Sequence, residues 1–329
     1  MVRGSDSHSS RLLQRRAILG WLMAGAAAPA AAQRRVPIVG FLTSAGEESL
    51  AQFREAMGAI GHVEGTSYRI ELRSARGQPD RLPALARELT ALPVDVIYAT
   101  GPPAVAAAYA IAGTVPIVAF DLESDPVASG FVQSLAQPGG RLTGLFLDVP
   151  SLAGKWIALL NEVAPGRQPL GALWDATTGT AQLDAARQAG RSLGIETTIL
   201  RYRDAAEMDK ALQLDSAQRV QSLVVLSSPI ASSGSARLAK FASRRRIPAI
   251  SPFRAFAERG GLLSYGPNLR MFRRYSADYV DRILRGARPA DLPIQQPTTF
   301  ELVVNRRAAQ ALGLGIPDTL LLTAAQVLE

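Results

Sequence analysis

From Val36 onward the chain alternates short, continuously apolar runs with longer stretches whose apolar residues return every three or four positions. "PIVGFL", "YRIELR", "VDVIYAT", "VPIVAF" and "RLTGLFL" predict strands, while "ESLAQFREAMGAIG", "RLPALARELTAL" and "PPAVAAAYAIAG" predict helices between them. Strands apolar on both faces and separated by helices predict a parallel sheet. The same order then recurs. "PLGALWD", "IETTILRY", "SLVVLSS", "IPAIS" and "GGLLSYG" are strands, with helical spacing in "TAQLDAARQAGRSLG", "AAEMDKALQLDSAQ" and "SSGSARLAKFASRRR".

Polar residues follow the strands at matching places in the two halves: Thr43 and Ser44 against Asp175, and Thr100 against Ser227 and Ser228. Two similar α/β lobes with parallel, Rossmann-like sheets account for this repetition, and one large unduplicated sheet is the alternative. Beyond Tyr265 come a further amphipathic helix, "MFRRYSADYVDRILRG", a proline-broken segment, and a last strand and helix in "TFELVVN" and "RRAAQALGLG". A chain that returns between lobes needs such connections. Hinges are expected near Asp148 to Pro150, Pro267 to Leu269 and Gln295 to Pro297. They divide the chain into lobe 1 (33–148 plus 269–296) and lobe 2 (149–268 plus 297–329).

Residues 1–32 read as an export signal: a basic start with Arg11, Arg15 and Arg16, the short apolar run "AILGWLMAGAAA", and a small-residue exit before Gln33. "RRAIL" fits the twin-arginine route and the general secretory route equally. The sequence contains no cysteine, so neither a disulfide framework nor a lipid-modified cysteine is expected. A periplasmic protein without a lipid anchor follows.

The net charge of +8 raises nucleic acid as a partner, but removing the signal takes away three positive charges and leaves +5. The remaining arginines are scattered. The densest groups, at Arg244 to Arg246 and within Leu269 to Pro289, read as solvated helix faces or helix ends. No nucleic-acid partner is expected.

Catalytic chemistry is equally thin. Past the signal, His62 is the last histidine, placed in the turn "GAIGHVEG" as a surface residue, so a hydrolytic triad lacks its parts. Zinc ligands, a phosphate-binding P-loop and a dinucleotide fingerprint are all missing, so no metal and no cofactor is expected. What stands out is "VPIVAFDLESDPV", an apolar strand that releases Asp121, Glu123 and Asp125 in quick succession. A carboxylate pair for glycoside cleavage, a calcium site and a clasp for a substrate ammonium are the readings open to them. At the C-terminal edge of a parallel sheet, strand-end loops face the ligand crevice, which favours the clasp. Hydroxyls of Ser44 and Thr100 with helix N-terminal amides suit the carboxylate of the same ligand.

From Pro37 to the C-terminus the chain resembles the substrate-binding proteins of ABC importers related to the tryptophan/tyrosine-binding type. The resemblance rests on "VGFLTS", "GHVEG", "DRLPALARELTALPVDVIYATGPPA", "PIVAFDLESDPVASGFVQSLAQPGGRLTG", "GGLLSYGPN", "RILRGARPADLPIQQPTTFELVVN" and "ALGLGIPDTLL". It implies a type I periplasmic-binding-protein fold with a multi-strand hinge. A monomeric clamp would close on a small, amino-acid-like ligand and deliver it to a membrane permease driven by a separate ATPase, without catalysis. It further implies Ser44, Thr100, Asp125 and Tyr265 as cleft residues, with Asp125 of the "DPV" turn clasping the amine and Tyr265 meeting the ligand from the hinge side. Thr43, Gly101, Asp175, Ser227 and Ser228 join them at the strand ends. Asp121 and Glu123 stand where relatives often carry small or apolar residues, Arg141 and Asp175 where Asn is common, and Ser228 where an acid is common. Facing inward, the added carboxylates favour a more cationic ligand. A sensing module for a membrane receptor and an exported enzyme using cleft carboxylates are the alternatives.

Overall fold

The computed structural model describes residues 35–147 and 149–329. The expected signal, its cleavage point at Gln33 and Asp148 of the first hinge lie outside the described residues.

The first half of the chain runs β1 (Ile38–Thr43), α1 (Glu48–Ala59), β2 (Arg69–Ser74), α2 (Leu82–Thr90), β3 (Val96–Thr100), α3 (Pro102–Ile111), β4 (Ile117–Asp121) and β5 (Leu142–Phe146). It builds a parallel sheet in the order β2-β1-β3-β4-β5. Then follow α4 (Val149–Val163), β6 (Leu170–Asp175), α5 (Ala181–Ser192), β7 (Thr197–Tyr202), α6 (Ala205–Gln213) and α7 (Asp215–Arg219). After these come β8 (Ser222–Val225), α8 (Pro229–Ser233), α9 (Ser235–Arg245), β9 (Ala249–Ser251), α10 (Arg254–Glu258) and β10 (Leu263–Pro267). The chain ends with α11 (Leu269–Leu284), β11 (Phe300–Asn305), α12 (Arg306–Leu312), α13 (Asp318–Thr323) and β12 (Gln326–Leu328). The second sheet has the order β12-β11-β10-β9-β8-β6-β7 and is parallel except where β11 runs against β10. The two sheets make a two-lobed α/β fold.

Strand alternation explains the layering, because neighbouring side chains point to opposite faces. In the first sheet Phe41, Tyr98, Val118 and Phe120 share one face with Phe53 of α1 and Phe272 of α11. Leu42, Ile97, Ile117 and Ala119 face α2 and α3. The central strands are buried on both sides, whereas β2 and β7 at sheet edges are only partly covered, as their mixed sequences require. The expected helix over "AAEMDKALQLDSAQ" is divided into α6 and α7 at Leu214, whose backbone is extended.

The chain passes between the sheets after β5, after β10 and before β11. In its excursion back, α11 packs on α1, and the segment after it lies along the open edge of β5. There Phe146 N–H donates to the Gln295 carbonyl and Gln295 N–H to that of Gly144, so the edge is capped by the protein's own backbone. Thr143 Oγ1 also donates to the Leu292 carbonyl at 2.6 Å. His62, expected as a surface residue, instead bridges to α11: its Nε2 lies 2.7 Å from Asp281 Oδ1, and only 14% of its side chain is exposed. The turn after α1 must be fastened to α11 because the two helices share one apolar face.

Gly144 adopts φ +141°, and a Cβ there would stand 2.1 Å from the Ala119 carbonyl oxygen. Gly144→Ala is therefore expected to cost about 2 kcal/mol or more, through strain and a forced separation of β4 from β5. A thermal melt reads this directly, and an unchanged midpoint would show that the strands do not approach so closely.

Candidate functional site in the cleft between the lobes

Both sheets reverse their winding direction at one strand: β1 lies between β2 and β3, and β6 between β7 and β8. Loops leaving the C-terminal ends of strands at such a point diverge and leave a crevice. Here the crevices of the two sheets face one another. A cavity of about 930 Å³ lies between them, lined from lobe 1 by Thr100, Gly101 and Glu123 and from lobe 2 by Ser228, Pro229 and Phe253. Residues of α1, α10 and the first turns of α11 complete its wall.

The lobes touch at the strand tips. Ser227 Oγ, just past β8, donates to Glu123 Oε1, just past β4, at 2.5 Å. Ser227 is itself held by Gln182 of α5, which receives its N–H and donates to its carbonyl. Gly101 opens α3 with φ +85°, and a Cβ on it would stand 2.3 Å from Pro229 Cγ, so only glycine admits this approach. A third crossing joins the Ala205 N–H to the Gly77 carbonyl at 3.2 Å.

Around the Glu123 contact lies a buried polar cluster. Asp121 Oδ1 accepts the N–H groups of Glu123 and Ser124, which bends the chain sharply out of β4. Asp175 Oδ1 accepts Thr177 N–H and Oγ1 and so opens the turn after β6. Ser228 Oγ meets the Tyr202 hydroxyl at 2.9 Å and caps α8 through Ala231 N–H. Thr100 Oγ1 donates to Thr43 Oγ1 at 2.8 Å, tying the ends of β1 and β3. Four oxygens in this region are buried without a partner in the protein: Ser44 Oγ, Asp121 Oδ2, Glu123 Oε2 and Asp175 Oδ2.

The electrostatics follow from burial. Loss of water pushes the Asp121 carboxyl up to about 6, although turn amides partly offset this. Glu123 is pushed up to about 8, first by burial, then by the Asp121 charge, with Ser227 opposing. Asp175 is also raised by burial.

Of the residues expected from sequence, Thr100, Gly101 and Ser228 line the cavity. Thr43, Ser44, Asp175 and Ser227 are buried beside it in the contacts just described. Asp125 and Tyr265 are not brought there. Asp125 is exposed, and its Oδ1 accepts the N–H groups of Val127 and Ala128, so it shapes the "DPV" turn. Tyr265 stacks on Phe300 at 6.0 Å, and its carbonyl accepts the Trp156 indole N–H, which fixes the strand at the hinge. The carboxylates that do reach the seam are Asp121 and Glu123. Arg141, expected near the cleft, instead covers the Tyr109 ring at 4.5 Å.

Sequence reasoning missed Arg273. It was assigned to a solvated helix face, yet its guanidinium lies 5.1 Å from the Phe120 ring centre and lines the cavity. Arg270 and Arg274 line the cavity too but are exposed, whereas Arg273 is the half-buried member of the run, placed at a helical interval facing the sheet. Among the described residues no group of three or more His, Cys, Asp or Glu is placed to hold a metal ion, and no helix is long and apolar enough to cross a membrane.

Comparison with known proteins places this arrangement. A "Tyrosine-binding protein" of Clostridioides difficile (strain R20291) is 21% identical over 266 residues, covering 80% of this chain and 75% of that protein. A conserved domain protein from Vibrio cholerae is similar in structure, with a TM-score of 0.79 at 24% identity over 89% of this chain and 99% of the other. An ABC domain from Streptococcus pneumonia, solved in complex with L-Trp, gives 0.77 at 22% identity over 88% of this chain and 100% of the other. The family model for ABC transporter substrate binding proteins matches residues 36–328, nearly all of the described chain, and the protein belongs to that family.

Proposed function

We propose that the protein is the exported binding component of an ABC importer, which captures a small, amino-acid-like ligand between its lobes and presents it to an inner-membrane permease powered by a separate ATPase. The observation that carries this reading is the seam itself. Polar oxygens from both lobes are buried there without protein partners, beside a cavity large enough for an amino acid. A ligand that meets groups on both lobes at once stabilises their contact, because those interactions exist only when the lobes are together. The family membership and the relatives named for tyrosine and L-Trp support an amino-acid-like ligand. The basic, apolar and small-residue segments of 1–32 support export to the periplasm.

No catalytic step is assigned. Asp121 and Glu123 each commit one oxygen, to turn amides and to a lobe-bridging hydrogen bond, and His62, the histidine past the signal, is paired with Asp281 on α11.

The direct test uses Gln33–Glu329, freed of carried ligand by unfolding and refolding, in melting-shift measurements against amino acids, polyamines, small amides and sugars. A ligand at about a hundred times its Kd should add roughly 2.7 kcal/mol of stability. A panel without a single shift, or turnover of any compound in it, would count against capture. Gly101→Ala supplies a second check. Its Cβ collides with Pro229 when the lobes meet, so ligand affinity should fall at least about tenfold, beyond the roughly 1–3 kcal/mol of backbone strain seen in the melt. Unaltered affinity would show that ligand is held without this contact.

A further inference from the structure

The ligand class can be narrowed from the charge at the seam, given the capture reading above. We infer that the ligand carries net positive charge: a small primary ammonium compound of the basic amino acid or short diamine type, with a cationic head placed among Asp121, Glu123 and Asp175.

Three carboxylates, two from lobe 1 and one from lobe 2, are at most 5% exposed. Each has one oxygen hydrogen-bonded and the other buried without a partner of hydrogen-bond geometry among the described residues, although the Ser124 and Ser228 hydroxyls lie near enough to Asp121 and Asp175 to temper their rise. Ser44 Oγ, independent of the acids, is also unpartnered and points at the same closure. It would lie 3.2 Å from a Cβ on Gly101, a cavity-lining residue. Carboxylate oxygens only accept, so the complementary group is a donor, and an ammonium brings three N–H bonds in a compact shape.

Net charge then selects among ammonium ligands. Among the described residues none of the three carboxylates makes an ion pair with lysine or arginine. The groups that face Glu123 are Asp121 at the end of β4, Asp175 at the end of β6, Tyr202 at the end of β7 and the Ser227 hydroxyl past β8. Arg203, beyond β7, acts on Asp175 as a counter-charge, and the cavity wall that Glu123 shares carries Arg254, Arg270, Arg273 and Arg274 alongside Glu48, Glu55, Glu258 and Glu301, with Arg273 lying over Phe120. A zwitterionic aromatic amino acid brings its own carboxylate and adds no net charge to this acidic seam. A ligand with a second ammonium offsets it.

Burial and mutual repulsion raise Asp121 to about 6 and Glu123 to about 8, so the free protein relieves the repulsion chiefly through a proton on Glu123. A cation therefore displaces protons. For acids raised in the folded state, the folded form holds more protons than the unfolded one between the two pKa values. Stability of the free protein is thus fully present below the ordinary carboxylate range and falls as pH rises through about 6 to about 8. Cation affinity runs the opposite way, rising by up to about tenfold per pH unit for each proton displaced.

Isothermal titration calorimetry at pH 6, 7 and 8, in buffers of different ionisation enthalpy, tests this with L-lysine and putrescine against L-tryptophan and L-leucine. The expected result is binding of the cationic pair, proton release, and affinity that climbs with pH. Glu123→Gln keeps an acceptor for Ser227 and removes the charge. It should weaken cation binding about tenfold or more, abolish most of the proton release, and flatten the fall in the free protein's melting temperature from pH 5 to 8. Asp175→Asn should repeat the loss of cation affinity if Glu123→Gln does not fold. Binding of tryptophan or leucine without proton release, and not of the amines, overturns the cationic assignment while leaving capture intact. L-lysine held equally well by a folded Glu123→Gln protein overturns it too. Failure of both sets, and of the wider panel above, overturns the cationic assignment and capture together.

Discussion

The structure turns on one hydrogen bond that crosses from lobe to lobe: Ser227 Oγ to Glu123 Oε1, made where neither partner is exposed to solvent. A carboxyl group removed from water keeps its charge only if something nearby compensates it. For Glu123 the Ser227 hydroxyl and the Leu122 backbone offset only part of that cost, and no Lys or Arg among the described residues makes an ion pair with it. The nearest acids, Asp121 and Asp175, make matters worse. The seam between the lobes is therefore a place where a proton or a cation must be supplied from outside, which ties the meeting of the lobes to solution chemistry.

The remaining architecture serves to bring that seam together reproducibly. Asp121 spends one oxygen on the turn that carries Glu123 forward, and Gln182 clamps the backbone of Ser227, so both partners of the crossing are fixed before they meet. Gly101 removes the side chain that would hold α3 away from Pro229. Behind them the return segment seals β5, and α11 shares the apolar face of α1, so the interrupted sequence packs back onto the first sheet.

Much of this was legible in the residue pattern. All eleven expected strands are present: the central ones are continuous buried stretches bounded by turn residues, and the edge strands β2 and β7, only partly covered, still carry β-branched and apolar residues between turns. The missing one, β12, is a short edge strand of three partly covered residues with too few positions to show a period. The short helices α8 and α10 escaped for the same reason. At the site, strand-end polar residues were readable because a parallel sheet sends them to one edge. Which of three neighbouring acids turns inward was not readable. Asp125 precedes Pro126 and has free amides two and three residues on, so a local turn captures its carboxylate. Arg273 shows the converse limit. In a helix with arginines at 270, 273 and 274, helical phase alone assigns a side to each, and only the tertiary position of Phe120 gives the inward one a partner.

Protons and ligand compete for the same carboxylates, and that competition sets the selectivity of the seam. A neutral molecule of suitable shape gains the cavity but must leave the acids protonated or repelling. A cation gains both the cavity and the charges, at the expense of releasing protons. The difference between the two grows with pH, since each proton lost to solvent raises the cost of leaving a carboxylate uncompensated. Discrimination by charge is thereby built into buried acids with which no lysine or arginine among the described residues makes an ion pair.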